Sequence, residues 1–209
     1  MTAESTHMVE FAYEVGFLKR LPRTGWLTAG VANPESVAEH SFRVAILAFM
    51  IAASEGADPE RAAVLGLFHD LPETRIGDVP AVGRPYVQTA APTEVVADQT
   101  ANLPSDLAER IGAAIAEHES AKRPGASTES LCSRDADKLD LLLQAREYQE
   151  QTGNIAMSAF IDSMLPLFAT HTGKSLAEAA IATSPSTWWN EFASKFGTPA
   201  ATTRPVRSA

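Results

Sequence analysis

Residues 36–70 read SVAEHSFRVAILAFMIAASEGADPERAAVLGLFHD, and this stretch decides the fold. It opens on Ser36-Val37-Ala38-Glu39, an S-x-x-E capping box in which hydroxyl and carboxylate each satisfy a backbone N–H left free at a helix start. Val44, Leu47, Ala48 and Ile51 then recur at helical spacing on one face, which predicts a helix from Ser36 to about Glu55. Asp58-Pro59 is a second start signal, a side-chain cap followed by proline at the first helical position. The helix it opens is expected to reach His69-Asp70.

Working outward, Met8, Phe11, Ala12, Val15 and Leu18 predict a first helix from Met8 to near Leu21-Pro22, with residues 1–7 flexible. The loop PRTGWLTAGVANPE links it to the stretch above. Residues 72–103 are rich in proline, and loop with at most short helices is expected there. Pro104-Ser105-Asp106 opens a further helix with Leu107, Ile111 and Ile115 on one face. Helices over 128–151, 154–171 (kinked at Pro166), 174–182 and 186–196 complete the pattern, and the tail 198–209 is expected to be mobile. No segment alternates as a half-buried strand requires. The expectation is one all-α domain over residues 8–197.

Composition agrees. At 209 residues, 45% hydrophobic and 21% charged, the chain suits a single globular domain. A formal net charge of −9 argues against binding a nucleic-acid polymer, although a small anionic substrate stays open if a cation meets it locally. The lone Cys132 excludes an internal disulfide and suits a reducing, cytoplasmic setting. The longest apolar run, Val44 to Ala53, is too short for a membrane span, and MTAESTHMVEF has no secretory pattern.

The chemistry centres on His40, His69, Asp70 and an acid in Ser133-Arg-Asp-Ala-Asp-Lys-Leu-Asp140. His40 shares the Val44/Leu47/Ala48/Ile51 face, and His69 shares one with Ala62, Leu65 and Gly66, so both imidazoles point inward. Asp70 lies beside Ala63, Gly66 and Leu67, where an ionised carboxylate costs several kcal/mol unless paired or metal-bound. Two histidines and two carboxylates from three helices make an N/O site for a divalent cation with room for water. The same spacing also fits hydrogen-bonded core histidines and a helix-end aspartate. Periodicity does not choose among Asp135, Asp137 and Asp140.

The words LKRLPRTGW, PESVAEHSFRVA, AAVLGLFHDLPETRIGDVP and RDADKLDLLLQAREY together resemble the HD-domain metal phosphohydrolases, and among them the HD-domain 5′-deoxynucleotidases, over about Phe17 to Tyr148. That resemblance implies a helical HD-domain bundle with the metal site between core helices. It implies His40, His69, Asp70 and Asp137 as ligands to one divalent ion, which could be Mn, Co, Fe, Mg, Ni or Zn. The family word DKLDLLLQAREY is what selects Asp137, leaving Asp135 and Asp140 as solvated or ion-paired helix charges. Glu73 is implied as the residue that orients water or shuttles its proton, with Asp70 assisting the leaving group. Arg23 is implied at the phosphate, Trp26 as a wall against sugar or base, and Asp78 at the 2′ position of the sugar.

The activity implied is hydrolysis of (deoxy)nucleoside 5′-monophosphates to nucleoside and phosphate, by a homodimer. The alternatives are an HD hydrolase of another small phosphorylated metabolite and a non-catalytic nucleotide-binding module. A two-metal HD site needs more histidines than His118 supplies, and His118 shares the Leu107/Ile111/Ile115 face as a core-edge residue. Arg43 either faces the site or pairs with a nearby carboxylate. Cys132 reads as a buried thiol, and Trp188-Trp189 as packing or a subunit contact.

Overall fold

The computed structural model describes residues 2–197, and among them every regular element is helical. The tail expected to be mobile, 198–209, lies outside the described residues. The first helix, α1 (Ala3–Val15), begins earlier than its apolar spacing predicts because the Thr2 hydroxyl caps it, accepting from Ser5 N. Residues 3–7 are therefore part of the helix. It also ends earlier, tightening into a 3-10 turn at Gly16–Lys19.

The short α2 (Thr24–Thr28) is pinned to the start of α3 (Val37–Glu55) by backbone hydrogen bonds from Arg23 N to Glu35 O and from Val37 N to Leu21 O. Ser36 forms the expected capping box: its hydroxyl accepts from Glu39 N at 3.2 Å, and the Glu39 carboxylate accepts from Ser36 N at 2.7 Å. Asp58 caps α4 (Pro59–Phe68) by accepting from Arg61 N, and His69-Asp70 follow directly at its end.

The proline-rich stretch holds two helices, α5 (Glu73–Ile76) and α6 (Pro92–Thr100). The second is longer than its composition suggests. Pro92 occupies the first helical turn, where its missing N–H costs nothing, Glu94 accepts from Ala91 N, and Val95 and Val96 are buried. There proline starts a helix instead of breaking one.

After α7 (Ser105–Ser120) and α8 (Thr128–Thr152) comes α9 (Met157–Met164). Pro166 does not kink a longer helix; it sits in a 3-10 turn at Leu165–Leu167, and Thr170 then caps a separate α10 (His171–Ala182). The last helix, α11 (Thr187–Phe196), buries no side chain, and Trp188, Trp189, Phe192 and Phe196 stack on one another along an exposed row.

Two apolar clusters hold the bundle. The larger joins Val44, Leu47, Ile51, Ala62, Leu139, Leu142, Met157 and Phe168, and the smaller joins Leu18, Val37, Leu71, Val96, Ile111 and Ile115. Each fully buried Leu or Ile contributes about 1.5–3 kcal/mol. His40 falls in sequence between Val37 and Val44, which belong to different clusters, so α3 spans both. By length and hydropathy α3 is apolar enough to cross a bilayer, but here its Val44/Leu47/Ile51 face is core and packs on α4 and α8.

Candidate metal centre

Three helices bring the centre together. Ser36 fixes the start of α3, and His40 follows one turn later with its ring fully buried. His69 and Asp70 leave the end of α4, and α8 supplies Asp137. His40 Nε2 lies 3.3 Å from His69 Nε2, 3.3 Å from Asp137 Oδ1 and 3.5 Å from Asp70 Oδ2. His69 Nε2 lies 3.1 Å from Asp70 Oδ2 and 3.8 Å from Asp137 Oδ1. Ligands at about 2.0–2.2 Å from a cation stand roughly 3–3.5 Å from one another, and His40, His69 and Asp137 group closely enough to hold one, with Asp70 against both histidines.

The other ring nitrogens fix the tautomers. His40 Nδ1 lies 2.6 Å from Asp140 Oδ2, and His69 Nδ1 lies 2.7 Å from Gly66 O. Each Nδ1 donates, so in the neutral rings that a cation would require, both Nε2 lone pairs face the shared point. Asp140 is fully buried and is also gripped by Arg43, which further donates to Glu147 and Gln144. Arg43 thus takes the structural pairing. Asp140 is ion-paired, but it is not solvated, and its role as the buttress of His40 was invisible to helical periodicity.

The electrostatics favour a cation at this point. Burial and Arg23 disfavour a charged His40, yet Asp137 and Asp140 overcome them and push its pKa up to about 10. Burial likewise opposes ionisation of Asp70, but His69, Arg23 and His40 hold its carboxyl well below the usual range. Asp137 behaves the same way, with His40 and His69 outweighing burial. The pocket demands positive charge among ionised carboxylates, and a divalent ion meets that demand. The donor set fits.

Around the centre opens a cleft of about 360 Å³ lined by Arg23, Asp70, Glu73, Arg84, Arg134 and Asp137, among others. Glu73 is part of its wall, and its Oε2 is buried with no hydrogen-bond partner among the described residues. Burial, reinforced by Asp70, raises its pKa to about 9, which favours the protonated acid while the centre holds no cation. Arg23 donates to Asp70 Oδ2 at 3.1 Å and lies 3.6 Å from Asp78 Oδ1.

Asp78 follows Gly77, whose φ of 75° is the left-handed conformation that returns the chain toward α2. There its carboxylate accepts from the Thr24 N–H and hydroxyl, and its side chain does not line the cleft. Trp26 is also outside the cleft: its ring packs on Tyr148 and Phe160 in the core, and Nε1 donates to Glu35 Oε1 at 3.0 Å.

The remaining aspartate of α8, Asp135, is buried and holds the start of α10, accepting from Ala169 N, Thr170 N and the Thr170 hydroxyl, with Lys138 alongside. His118 sits behind the centre with its ring centroid 5.0 Å from that of His69. Burial, then His69 and Arg134, lower its pKa to about 3, so it is a neutral imidazole. Arg134 is a cleft residue that the sequence reading did not single out; its position one turn before Asp137 was the available signal.

The chain also matches known proteins. The profile of the HD domain matches residues 15–180. The chain is 34% identical to the 5′-deoxynucleotidase HDDC2 of Bos taurus, with 69% of each chain covered. It is 31% identical to the 5′-deoxynucleotidase hdd1 of Schizosaccharomyces pombe, covering 71% of this chain and 76% of that one. A conserved hypothetical protein from Pyrococcus furiosus superposes with a TM-score of 0.67 at 31% identity, over 84% of this chain and 99% of its own.

Proposed function

The chain belongs to the HD-domain family, and from that premise we propose a metal-dependent phosphomonoesterase that hydrolyses deoxynucleoside 5′-monophosphates to nucleoside and phosphate. One observation carries the reading: four cation-binding side chains converge beside a buried, unpartnered carboxyl at the wall of a cleft that also carries arginines. His40, His69, Asp70 and Asp137 hold the cation. When bound, a divalent ion supplies Lewis acidity and a more acidic water at a phosphoryl centre.

The remaining work falls to the protein. Arg23, fixed on one edge by Asp70, presents its guanidinium to the phosphate oxygens and offsets charge that grows as the ester bond breaks. Glu73 holds or moves a proton at Oε2, orienting the attacking water. Asp70, held ionised beside Arg23, carries no proton for the departing 5′-oxygen; it acts as a ligand and as the anchor of that arginine, and the oxygen takes its proton from water. In this reading Asp78 acts through Thr24 and Arg23, keeping the arginine aimed, and Trp26 contributes as core packing.

Assembly as a homodimer belongs to the same proposal. The exposed stripe Phe42, Ile46, Phe49 and Met50 on α3 supports it, and light scattering of the purified protein tests it.

The decisive experiment is metal analysis of the purified protein, followed by phosphate release from a panel of ribo- and deoxynucleoside monophosphates with manganese, cobalt, magnesium or iron supplied. Preferential release from the deoxy series is expected. No release from any of them rejects the reading.

A further inference from the structure

Resting on that hydrolase reading, we propose that Arg134 is a second arginine that meets the substrate phosphate, held at the cleft wall by His118. The two arginines of the centre flank its two carboxylate ligands: Arg23 Nη1 lies 3.1 Å from Asp70 Oδ2, and Arg134 Nη1 lies 3.8 Å from Asp137 Oδ2. Both line the cleft.

What sets Arg134 apart is how its donors are used. Nη1 donates to His118 Nε2 at 2.9 Å. A guanidinium only donates, so Nε2 is the accepting nitrogen, and Nδ1–H of His118 donates to Ser133 Oγ at 2.8 Å. The imidazole is buried and locked from both ends, so it fixes the arginine without neutralising it. The carboxylates nearest to Arg134, of Glu119 and Asp137, stand at 3.8 Å, beyond hydrogen-bond reach. Among the described residues no other acceptor takes its remaining N–H groups.

Other arginines of the bundle are used differently. Arg43 donates from all three of its nitrogens, to Asp140, Glu147 and Gln144, and Arg61 is doubly bonded to Glu117. Arg134 keeps a charged planar fork free, next to the point where a cation and a phosphoryl oxygen would meet. That chemistry recognises a tetrahedral oxyanion.

The test measures binding of inorganic phosphate and of a phosphate-free deoxynucleoside to the metal-loaded protein, together with metal content and kcat and KM. Arg134→Gln keeps a donor for His118 and removes the charge, and Arg134→Lys restores charge without the fork. For Arg134→Gln, phosphate affinity is expected to fall about ten- to a hundred-fold, with deoxynucleoside affinity and metal content unchanged. Arg134→Lys should recover part of that loss.

Unchanged phosphate affinity in Arg134→Gln overturns the assignment while leaving the hydrolase reading intact. Loss of the metal together with phosphate also overturns it, because the effect would then run through Asp137. Wild-type protein that binds phosphate through Arg134 yet hydrolyses no nucleotide upholds the assignment and rejects the hydrolase reading instead.

Discussion

His40 Nδ1 and Asp140 Oδ2 lie 2.6 Å apart in the buried interior, so a carboxylate on α8 sets the tautomer of an imidazole on α3. Replacing Asp140 by Asn keeps the shape and removes the charge that makes Nε2 a strong donor. Metal affinity of Asp140→Asn is expected to fall about 10–100-fold, read by competition with a chromophoric chelator. An affinity equal to wild type would show that the buttress plays no part in binding.

Glu73→Gln should retain the metal and lose turnover by about 10²–10⁴-fold, with KM little changed. Atomic absorption and phosphate-release kinetics on one preparation check both halves. Loss of metal in this variant would place Glu73 among the ligands instead.

The same residue makes metal-free stability depend on pH. Burial, then Asp70, raises its pKa from the ordinary 4.5 to about 9. Between those values the folded protein keeps a proton that the unfolded chain has released, so stability declines as pH rises. The contribution is complete below the lower value and gone above the upper one. In chelator, Glu73→Gln should therefore gain on wild type as pH rises from about 5 to about 9, measured by urea midpoints. A difference that stays constant across that range would contradict the neutral carboxyl.

Gly173→Ala reverses a familiar rule. Alanine in place of glycine usually stabilises a helix by about 1 kcal/mol. Here a Cβ would stand 2.5 Å from Asp135 Oδ2 and 2.8 Å from Thr170 Oγ1. The clash pulls Asp135 off the start of α10 and is expected to cost about 1–3 kcal/mol, visible in thermal unfolding. An unchanged or raised midpoint would mean that the α10 cap tolerates displacement.

Cys132 is fully buried, and burial, reinforced by Glu55 and Asp135, pushes its thiol up to about 12. Native protein should resist an aromatic disulfide reagent near neutral pH and react at one thiol per chain once unfolded. Rapid labelling of the native state would contradict that burial.

Much of this was legible in the sequence because the signals are local. Ser36 and Glu39 act within one turn, as do Asp58 and Pro59, so both helix starts were readable from spacing alone. The inward face of His40 followed from the same phase. Longer-range partnerships were not readable. Asp135, Asp137 and Asp140 lie within two turns of one helix, and only the positions of α10 and α3 reveal which partner each meets. Trp26 in RTGW reads like a pocket wall, yet its indole is taken by Tyr148 and Phe160, far along the chain. Pro92 misleads for the opposite reason, since a helix-starting proline and a loop proline look alike until burial of Val95 and Val96 is known.

The three aspartates of α8 have a mechanical consequence. Asp135 latches α10, Asp137 faces the cleft, and Asp140 locks the ring of His40 on α3, all from one rigid rod. A rotation or axial slip of that rod unseats the latch, the ligand and the lock in a single movement. Residues 81–91, a mostly exposed rim, supply Arg84, Val87 and Thr89 to the cleft without taking part in any of those three contacts.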